Sequence, residues 1–300
     1  MAELRTGRTD EIVQWRHYLE LCKPRVVAVM LLTVVVGMFL AVPGLPTLSN
    51  VIWGVLGIGL VASAAAAVNH VMDRKIDAKM CRTHRRPLPQ GKINPVNALL
   101  FAAVLGVTGE TILVVLVNPL TAWLTLLALI GYALIYTVFL KRATPQNIVI
   151  GGIAGAAPPL LGWVAVTGVI EPDSLLLVLI IFAWTPPHFW SLCIHKKEEY
   201  ANAGIPMLPV THGESYTRLQ ILLYTLLMII TTVFPFMTGM SGIIYLIGAT
   251  VLNLRFLYWA LRVYKAEDKA APLAMFWYSI KYIMWLFVVL LVDHYSVVMM

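Results

Sequence analysis

Three oxygen-bearing side chains follow one another at four-residue intervals near the end of a long apolar run: Asn69, Asp73 and Asp77. Because each four-residue step returns to nearly the same face of a helix, the amide and the two carboxylates form one strip of hard oxygen ligands. Mg²⁺ suits such a strip, since it keeps several waters and takes its other ligands from one or two carboxylates and from substrate phosphates. The spacing therefore predicts a site for a metal ion and a diphosphate.

A group of arginines follows the strip within ten residues: Arg82, Arg85 and Arg86. Planar guanidinium groups match phosphate oxygens in bidentate fashion, so these side chains are predicted to bind the same diphosphate. The alternative interpretation is a solvated loop beside a membrane. We favour the site because polar groups recur at a second helix end further along the chain: His188, His195, Glu198 and Glu199.

The composition predicts an integral membrane protein. Of 300 residues, 60% are hydrophobic and 12% are charged, whereas about 25% are charged in soluble globular proteins. An apolar run of about 20 residues crosses the hydrocarbon core of a bilayer. Nine such runs predict nine transmembrane helices, at approximately 26–43, 51–72, 96–117, 121–140, 147–168, 174–194, 219–238, 242–263 and 274–292.

The distribution of basic residues predicts the orientation. Twenty of the 22 lysines and arginines lie on one side of these runs or at a run's end on that side, and the other two, Arg255 and Lys281, lie within runs. By the positive-inside rule the N-terminal segment, 1–25, is cytoplasmic, and nine spans leave the C-terminus on the other side. We expect a multi-pass protein of the cell's inner membrane. The net charge of +7 then follows from topology and requires no nucleic-acid partner.

The predicted fold class is all-α, with the nine helices forming one domain over 1–300 around a central cavity. The two long loops, 73–95 and 195–218, are separated by four helices, which suggests two four-helix halves plus a ninth helix. We expect both loops to cap the cavity from the cytoplasmic side with ordered turns and short helices. Pro158-Pro159 and Pro186-Pro187 are expected to kink or break their helices beside this cavity.

Further candidates for substrate binding lie within or next to the runs. Tyr132 and Tyr136 have ring faces that attract a cation, although packing or an interfacial position is the alternative role for such aromatics. Lys141 follows the fourth run and is available to an anion. Ionisable groups inside spans normally face a bundle interior or a cavity; those in this chain are Glu110, Arg255 and Lys281.

Two long segments closely resemble the protohaem IX farnesyltransferase branch of the UbiA-type intramembrane prenyltransferase superfamily: DRKIDAKMCRTHRRPLPQGKI and WTPPHFWSLCIHKKEEYANAGIPMLPV. The resemblance extends from Lys23-Pro24-Arg25 through the nine-helix plan. It implies a Mg²⁺-dependent transfer of a farnesyl group from farnesyl diphosphate to a vinyl group of haem B. Water adds in the same reaction, so the products are haem O and diphosphate.

The same resemblance implies roles for individual residues. Asn69, Asp73 and Asp77 would hold Mg²⁺, and Arg82 and Arg86 would bind the leaving diphosphate. The wider superfamily has a second pair of aspartates where this chain has His188 and His195, and Glu199 stands where the haem branch usually has Asp. The ligands of a second metal ion therefore stay open, as does the choice between His188 and His70 as the residue that contacts haem. Haem A synthase or a terminal oxidase assembly is an expected partner.

Two alternative functions share some of these features. A prenyltransferase acting on a quinone or another aromatic acceptor would have the same acidic strip, but aspartates are expected where this chain has histidines. A secondary transporter also has repeats and proline-broken helices, with its polar site near the bilayer midplane. The concentration of acids and arginines at one face of this chain favours an enzyme that binds a diphosphate head group there.

Overall fold

The structure is a computed structural model that describes residues 15–81, 83–266 and 268–298. Within these ranges the chain is helical and has no β-strand. Eight helices are long and apolar enough to cross a membrane, and Trp15–Leu21 with Pro24–Leu40 makes a ninth span if this pair, bent by 49°, is taken as one. The nine predicted runs thus correspond to eight helices and the bent pair.

The helices are numbered in chain order. In the first half they are α1 (Trp15–Leu21), α2 (Pro24–Leu40), α3 (Leu48–Asp77), α4 (Pro95–Leu116), α5 (Pro119–Ala143), α6 (Asn147–Ala156) and α7 (Pro158–Thr167). In the second half they are α8 (Pro172–His195), α9 (Lys197–Asn202), α10 (Leu208–Thr211), α11 (Gly213–Thr231), α12 (Phe234–Met237), α13 (Ile243–Lys265) and α14 (Ala271–Val298).

Both long loops are shorter than predicted. Helix α3 continues through Asp77, so the loop starts at Ala78 rather than at residue 73. Asp73 and Asp77 in this last part of the helix are each paired with a cation, which offsets the cost of a bare charge near the membrane. The second loop lies between His195 and Gly213 and contains the short helices α9 and α10. The predicted short helices are confirmed there.

The two proline pairs behave differently. Pro158 and Pro159 start a new helix after α6 ends at Ala156, because the first turn of a helix needs no amide donors. Pro186 and Pro187 lie inside α8, which is assigned as one helix from Pro172 to His195. The prediction of a break is therefore confirmed for the first pair only.

The two largest of three hydrophobic clusters among the described residues hold the bundle together. The smaller one joins α2, α3, α4, α5 and α7, and the larger one is built mainly from α8, α11, α13 and α14. The span formed by α6 and α7 contributes to both clusters, with Leu161 in the smaller and Ile148 in the larger. This span therefore connects the two parts of the bundle.

Helices α2 and α7 approach so closely that their contact requires glycine. A Cβ added to Gly162 would lie 2.0 Å from the carbonyl oxygen of Val34, and one added to Gly37 would lie 2.1 Å from that of Pro159. These neighbours are backbone atoms and cannot rotate away. Small residues permit such close backbone approach between membrane helices.

We expect Gly162→Ala to reduce the stability of the protein by about 3 kcal/mol, because α7 must move away from α2 to admit the methyl group. Thermal unfolding in detergent measures this loss. The matched control is Gly106→Ala. There the nearest atom to the new Cβ is the Cβ of Ala64 at 3.6 Å, an ordinary van der Waals distance. Equal stability of the two variants would contradict the proposed backbone contact.

Candidate active site

The predicted strip on α3 is buried. Asn69, Asp73 and Asp77 are each less than 5% exposed. The amide nitrogen of Asn69 donates to Oδ2 of Asp73 at 3.0 Å and to Oγ1 of Thr137 at 3.0 Å. The four-residue spacing therefore places the three oxygen-bearing groups on one face, and that face points into the protein.

Three cations converge on the strip from different parts of the chain. Lys141 Nζ donates to Asp73 Oδ2 at 2.6 Å, and Arg86 donates to Asp77 Oδ2 at 2.7 Å. Lys23 Nζ donates to Asn69 Oδ1 and lies 3.4 Å from the hydroxyl of Tyr132. Lys141 and Arg86 offset the two carboxylates, and Lys23 adds a third basic group, an arrangement that suits an anionic ligand.

The loop after α3 folds back to bring Arg86 to the strip. The Thr83 hydroxyl donates to the carbonyl oxygen of Asp77 at 3.0 Å, and the Arg86 amide donates to the carbonyl oxygen of Thr83. These bonds form a tight turn within nine residues of Asp77. The guanidinium is thereby held beside the carboxylate.

Lys23 occupies a strained position at the junction of α1 and α2. Its φ of 48° is in the left-handed region, which costs a residue with a side chain about 1–2 kcal/mol. Strain of this kind is retained where the surrounding structure requires it, often at a functional site. Here it aims the ammonium group at Asn69, 46 residues away in sequence.

A π-helical segment in α5, Gly131–Leu140, supplies the opposite wall. Hydrogen bonds in such a segment join residues five apart, and π-helical turns are frequent at functional sites. The wide turn keeps residues four and five apart on nearly one face, whereas a five-residue step in an α-helix rotates a side chain by about 140°. Three residues consequently contact the strip or Lys23: Tyr132, Thr137 and Lys141. Tyr136 stacks on Tyr132.

An apolar cavity of about 360 Å³ extends from this cluster into the bundle. Its wall is formed by α2, α3, α5, α6, α7 and α8, with Lys23 and Tyr132 contributing the polar groups that link it to the strip. Trp184 and Phe189 add aromatic surface. The predicted central cavity is therefore present, with its polar groups next to the charged cluster.

His188 lines the same cavity and is held firmly. Its ring is stacked between Trp184, at a centroid distance of 4.2 Å, and Phe276, at 4.8 Å. Its Nδ1 forms a 2.6 Å hydrogen bond with Ser279 Oγ. The bond at Nδ1 leaves Nε2 as the nitrogen available to a substrate.

The other predicted site residues lie outside this cluster. Arg85 and His195 are exposed, and Glu199 pairs with Lys196 at 2.5 Å. Arg82 lies outside the described residues. Sequence reasoning missed Lys23 and Thr137 as parts of the cluster; the only signal for Lys23 is the Lys-Pro-Arg sequence directly before the first apolar run.

A model of the UbiA prenyltransferase family matches residues 30–287. The chain belongs to this family. Two relatives match over nearly their whole length and are both described as "Protoheme IX farnesyltransferase". The protein from Marinobacter nauticus is 64% identical and the alignment covers 94% of each chain. The protein from Saccharophagus degradans is 61% identical, with 98% of this chain and 97% of the relative covered.

Solved structures share the UbiA fold at low sequence identity. A structure described in connection with digeranylgeranylglyceryl phosphate synthase has a TM-score of 0.80 at 19% identity and covers 94% of this chain and 99% of its own. A UbiA homologue from Archaeoglobus fulgidus, described as bound to GPP and Mg²⁺, has a TM-score of 0.65 at 17% identity and covers 91% and 99%. These matches show that this UbiA-family chain has the same fold of membrane-spanning helices.

The donor set of this UbiA-family site fits a hard divalent ion shared with a ligand. Oδ1 of Asp73 is buried without a hydrogen-bond partner, and a buried acceptor in that state is costly. No group of three or more His, Cys, Asp or Glu side chains suited to a metal occurs among residues 15–81, 83–266 and 268–298. Two carboxylates and one amide oxygen leave the remaining coordination positions to waters and phosphates.

We expect Lys141→Met to destabilise the protein by about 3 kcal/mol, because it leaves the buried Asp73 carboxylate without its counter-ion. Adding Asp73→Asn should recover part of that loss. Chemical unfolding in detergent with a chelator present measures both changes. The matched control is Lys196→Met, which removes a partly exposed pair with Glu199 and should cost less than about 1 kcal/mol. Equal losses at the two lysines would contradict a buried pair.

Proposed function

We propose that this chain transfers a farnesyl group from farnesyl diphosphate to a vinyl group of haem B, with addition of water, and releases haem O and diphosphate. The observation that carries the proposal is the 64% identity over 94% of both chains to a protein described as "Protoheme IX farnesyltransferase". The site adds a chemical reason, since a cationic cluster opens directly onto an apolar cavity. Farnesyl diphosphate has an anionic head that matches the cationic cluster and an apolar tail that matches the cavity.

The diphosphate is proposed to bind at the strip on α3. Lys23, Arg86 and Lys141 would contact its oxygens, and Arg82 and Arg85 would add charge from the following loop. Mg²⁺ held by Asn69, Asp73 and Asp77 would offset the negative charge that develops on the leaving diphosphate. The farnesyl chain then lies in the cavity of about 360 Å³, which is within the size range of small-molecule sites.

The reaction divides between the two parts of the site. The bond between the allylic carbon and the diphosphate oxygen breaks, and its electron pair stays on the diphosphate, where the three cations stabilise it. Tyr132 lines the cavity and stacks on Tyr136, and the π-electrons of these rings would attract positive charge at the allylic carbon. The vinyl π-electrons attack that carbon, and water captures the resulting cation beside the porphyrin and releases a proton. No carboxylate base is required, because no ring proton leaves the acceptor.

The acceptor is proposed to contact His188. Its Nε2 faces away from the hydrogen bond to Ser279 and suits either the iron or a propionate. His195 and Glu199 are proposed to contact substrate at the end of the same helix or just beyond it. The quinone acceptor has no observation in its favour, and a site at one end of the bundle argues against a transporter, whose site lies near the midplane.

We further propose that the chain lies in the cell's inner membrane with its N-terminus on the cytoplasmic side, because the basic loops lie at one end of the bundle. The segment 1–25 and the loops within 73–95 and 195–218 would then face the cytoplasm within a single domain over 1–300. Haem O is membrane-soluble, so a haem A synthase or a terminal oxidase assembly would receive it directly.

Purified protein in nanodiscs, given haem B, farnesyl diphosphate and Mg²⁺, tests the proposal. We expect a haem product whose mass corresponds to the addition of a farnesyl group and a hydroxyl group. Haem B recovered unchanged, together with prenylation of a quinone precursor supplied in parallel, would overturn the choice of acceptor. Uptake of solute without any prenylated product would overturn the enzyme class.

We expect Asp73→Ala and Asp77→Ala each to lower the rate of haem O formation by at least about a hundredfold, because each removes an oxygen that stabilises the leaving diphosphate. Product formation at saturating Mg²⁺ measures the rate. The control is Asp268→Ala, which removes an acid that pairs with Arg262 in the last loop, away from α3. If either Asp73→Ala or Asp77→Ala retains the rate of the control, that aspartate does not stabilise the leaving diphosphate.

We expect His188→Asp to weaken the binding of haem B about tenfold or more, because a carboxylate repels the propionates and cannot replace an imidazole at iron. Farnesyl diphosphate binding should change little. Titrations followed by the Soret band and by calorimetry measure the two ligands, with His212→Asp, an exposed histidine in the loop after α8, as the control. Loss of diphosphate binding with haem affinity intact would move His188 to the donor site.

A further inference from the structure

A second, basic pocket of about 570 Å³ opens beside the strip, between the α1–α2 junction and the loop after α3. One acidic side chain, Glu20, lies in its wall. The remaining charged or titratable groups are basic: Arg16, Lys23, Arg25, His70 and Arg86. Neither the donor cavity nor the strip accounts for Arg16, Arg25 or His70.

His70 indicates that the pocket takes a ligand. The residue is 2% exposed, and neither of its ring nitrogens has a hydrogen-bond partner. A neutral imidazole has one N–H that donates and one nitrogen that accepts, and buried polar groups are almost always paired. A ligand oxygen at the base of the pocket would satisfy the N–H.

The position of His70 separates this pocket from the diphosphate strip. His70 follows Asn69 directly, and one residue along an α-helix turns the side chain by about 100°. It therefore faces a different side of α3 from Asn69, Asp73 and Asp77. Arg16 and Arg25 are exposed at the rim, so the pocket has a buried base and a charged entrance.

The pocket meets the apolar cavity at one point. Lys23 and Val26 line both spaces. A molecule in the basic pocket would consequently approach the head end of a chain that fills the apolar cavity. This arrangement suits the polar end of a second substrate, held on the other side of Lys23 from the donor chain.

We propose that the basic pocket binds the propionate carboxylates of the haem acceptor; this inference rests on the proposed function. Lys23 and Arg86 are directed to Asn69 and Asp77 of the strip, where they are proposed to contact the diphosphate, so Arg16, Arg25 and His70 remain for a second ligand. Guanidinium groups bind carboxylates in bidentate fashion. Two carboxylates on flexible arms match a charged rim and a buried base, whereas the compact diphosphate belongs at the strip.

The test compares haem B with its dimethyl ester, in which both carboxylates are blocked. In phosphatidylcholine nanodiscs we expect the parent protein to bind haem B at least about tenfold more tightly than the ester, as charge-assisted hydrogen bonds are lost. The double variant Arg16→Gln/Arg25→Gln should lose that preference and keep its affinity for farnesyl diphosphate. The matched control is Arg142→Gln, an exposed arginine that bonds the Met72 carbonyl and does not line the pocket.

His70→Leu provides an independent variant. We expect it to unfold at the same or a higher temperature, since it removes an unpartnered buried imidazole, and to bind haem B more weakly than the parent while binding the ester equally. A lower unfolding temperature with an unchanged preference for haem B would show that His70 is structural and would overturn its assignment.

Other outcomes separate this inference from the function on which it rests. A preference for haem B that persists in the double variant overturns the pocket assignment even if haem O is formed. If the double variant instead loses affinity for farnesyl diphosphate, the pocket belongs to the donor. If native mass spectra show that its only loss is bound phosphatidylglycerol, the pocket belongs to a lipid head group. If haem O is never formed, a lost preference for haem B over its ester still supports carboxylate binding here.

Discussion

The pairing of buried charges at one end of the bundle is the interaction on which the rest of the structure depends. Asp73 and Asp77 are almost fully buried, and an uncompensated carboxylate in that position would cost several kcal/mol. Lys141 and Arg86 offset this cost at 2.6 and 2.7 Å. The cations bring α5 and the loop after α3 to α3, so charge neutralisation also fixes the tertiary arrangement.

The same pairing prepares the site for an anion. Lys23 adds a third basic group beside the two neutralised carboxylates, and Oδ1 of Asp73 still lacks a hydrogen-bond partner. A diphosphate would therefore meet basic groups that are already in position and shielded from water. A metal ion would meet a carboxylate oxygen in the same state. Groups fixed in advance stabilise a developing charge without reorganising during the reaction.

Close backbone packing supports this cluster from the apolar side. Gly37 and Gly162 let α2 and α7 touch, and α2 begins at the strained junction that carries Lys23. The apolar cavity and the basic pocket lie on either side of that junction. The position of α2 therefore determines where a donor chain and an acceptor can meet, which links helix packing to the proposed chemistry.

The sequence by itself predicted most of the fold, because a bilayer demands long apolar runs with all backbone hydrogen bonds satisfied internally. It also predicted the strip on α3, since spacing within one helix is a local property. It could not show that Lys141 and Arg86 pair with the acids of that strip.

Only the tertiary structure decided the partners of these residues. Lys141 lies 68 residues from Asp73, and Ser279 lies 91 residues from His188. No periodicity in the sequence marks the π-helical segment that turns Tyr132, Thr137 and Lys141 to one face. Contacts between distant segments depend on how whole helices pack, and that packing is a property of all the side chains together rather than of any local pattern.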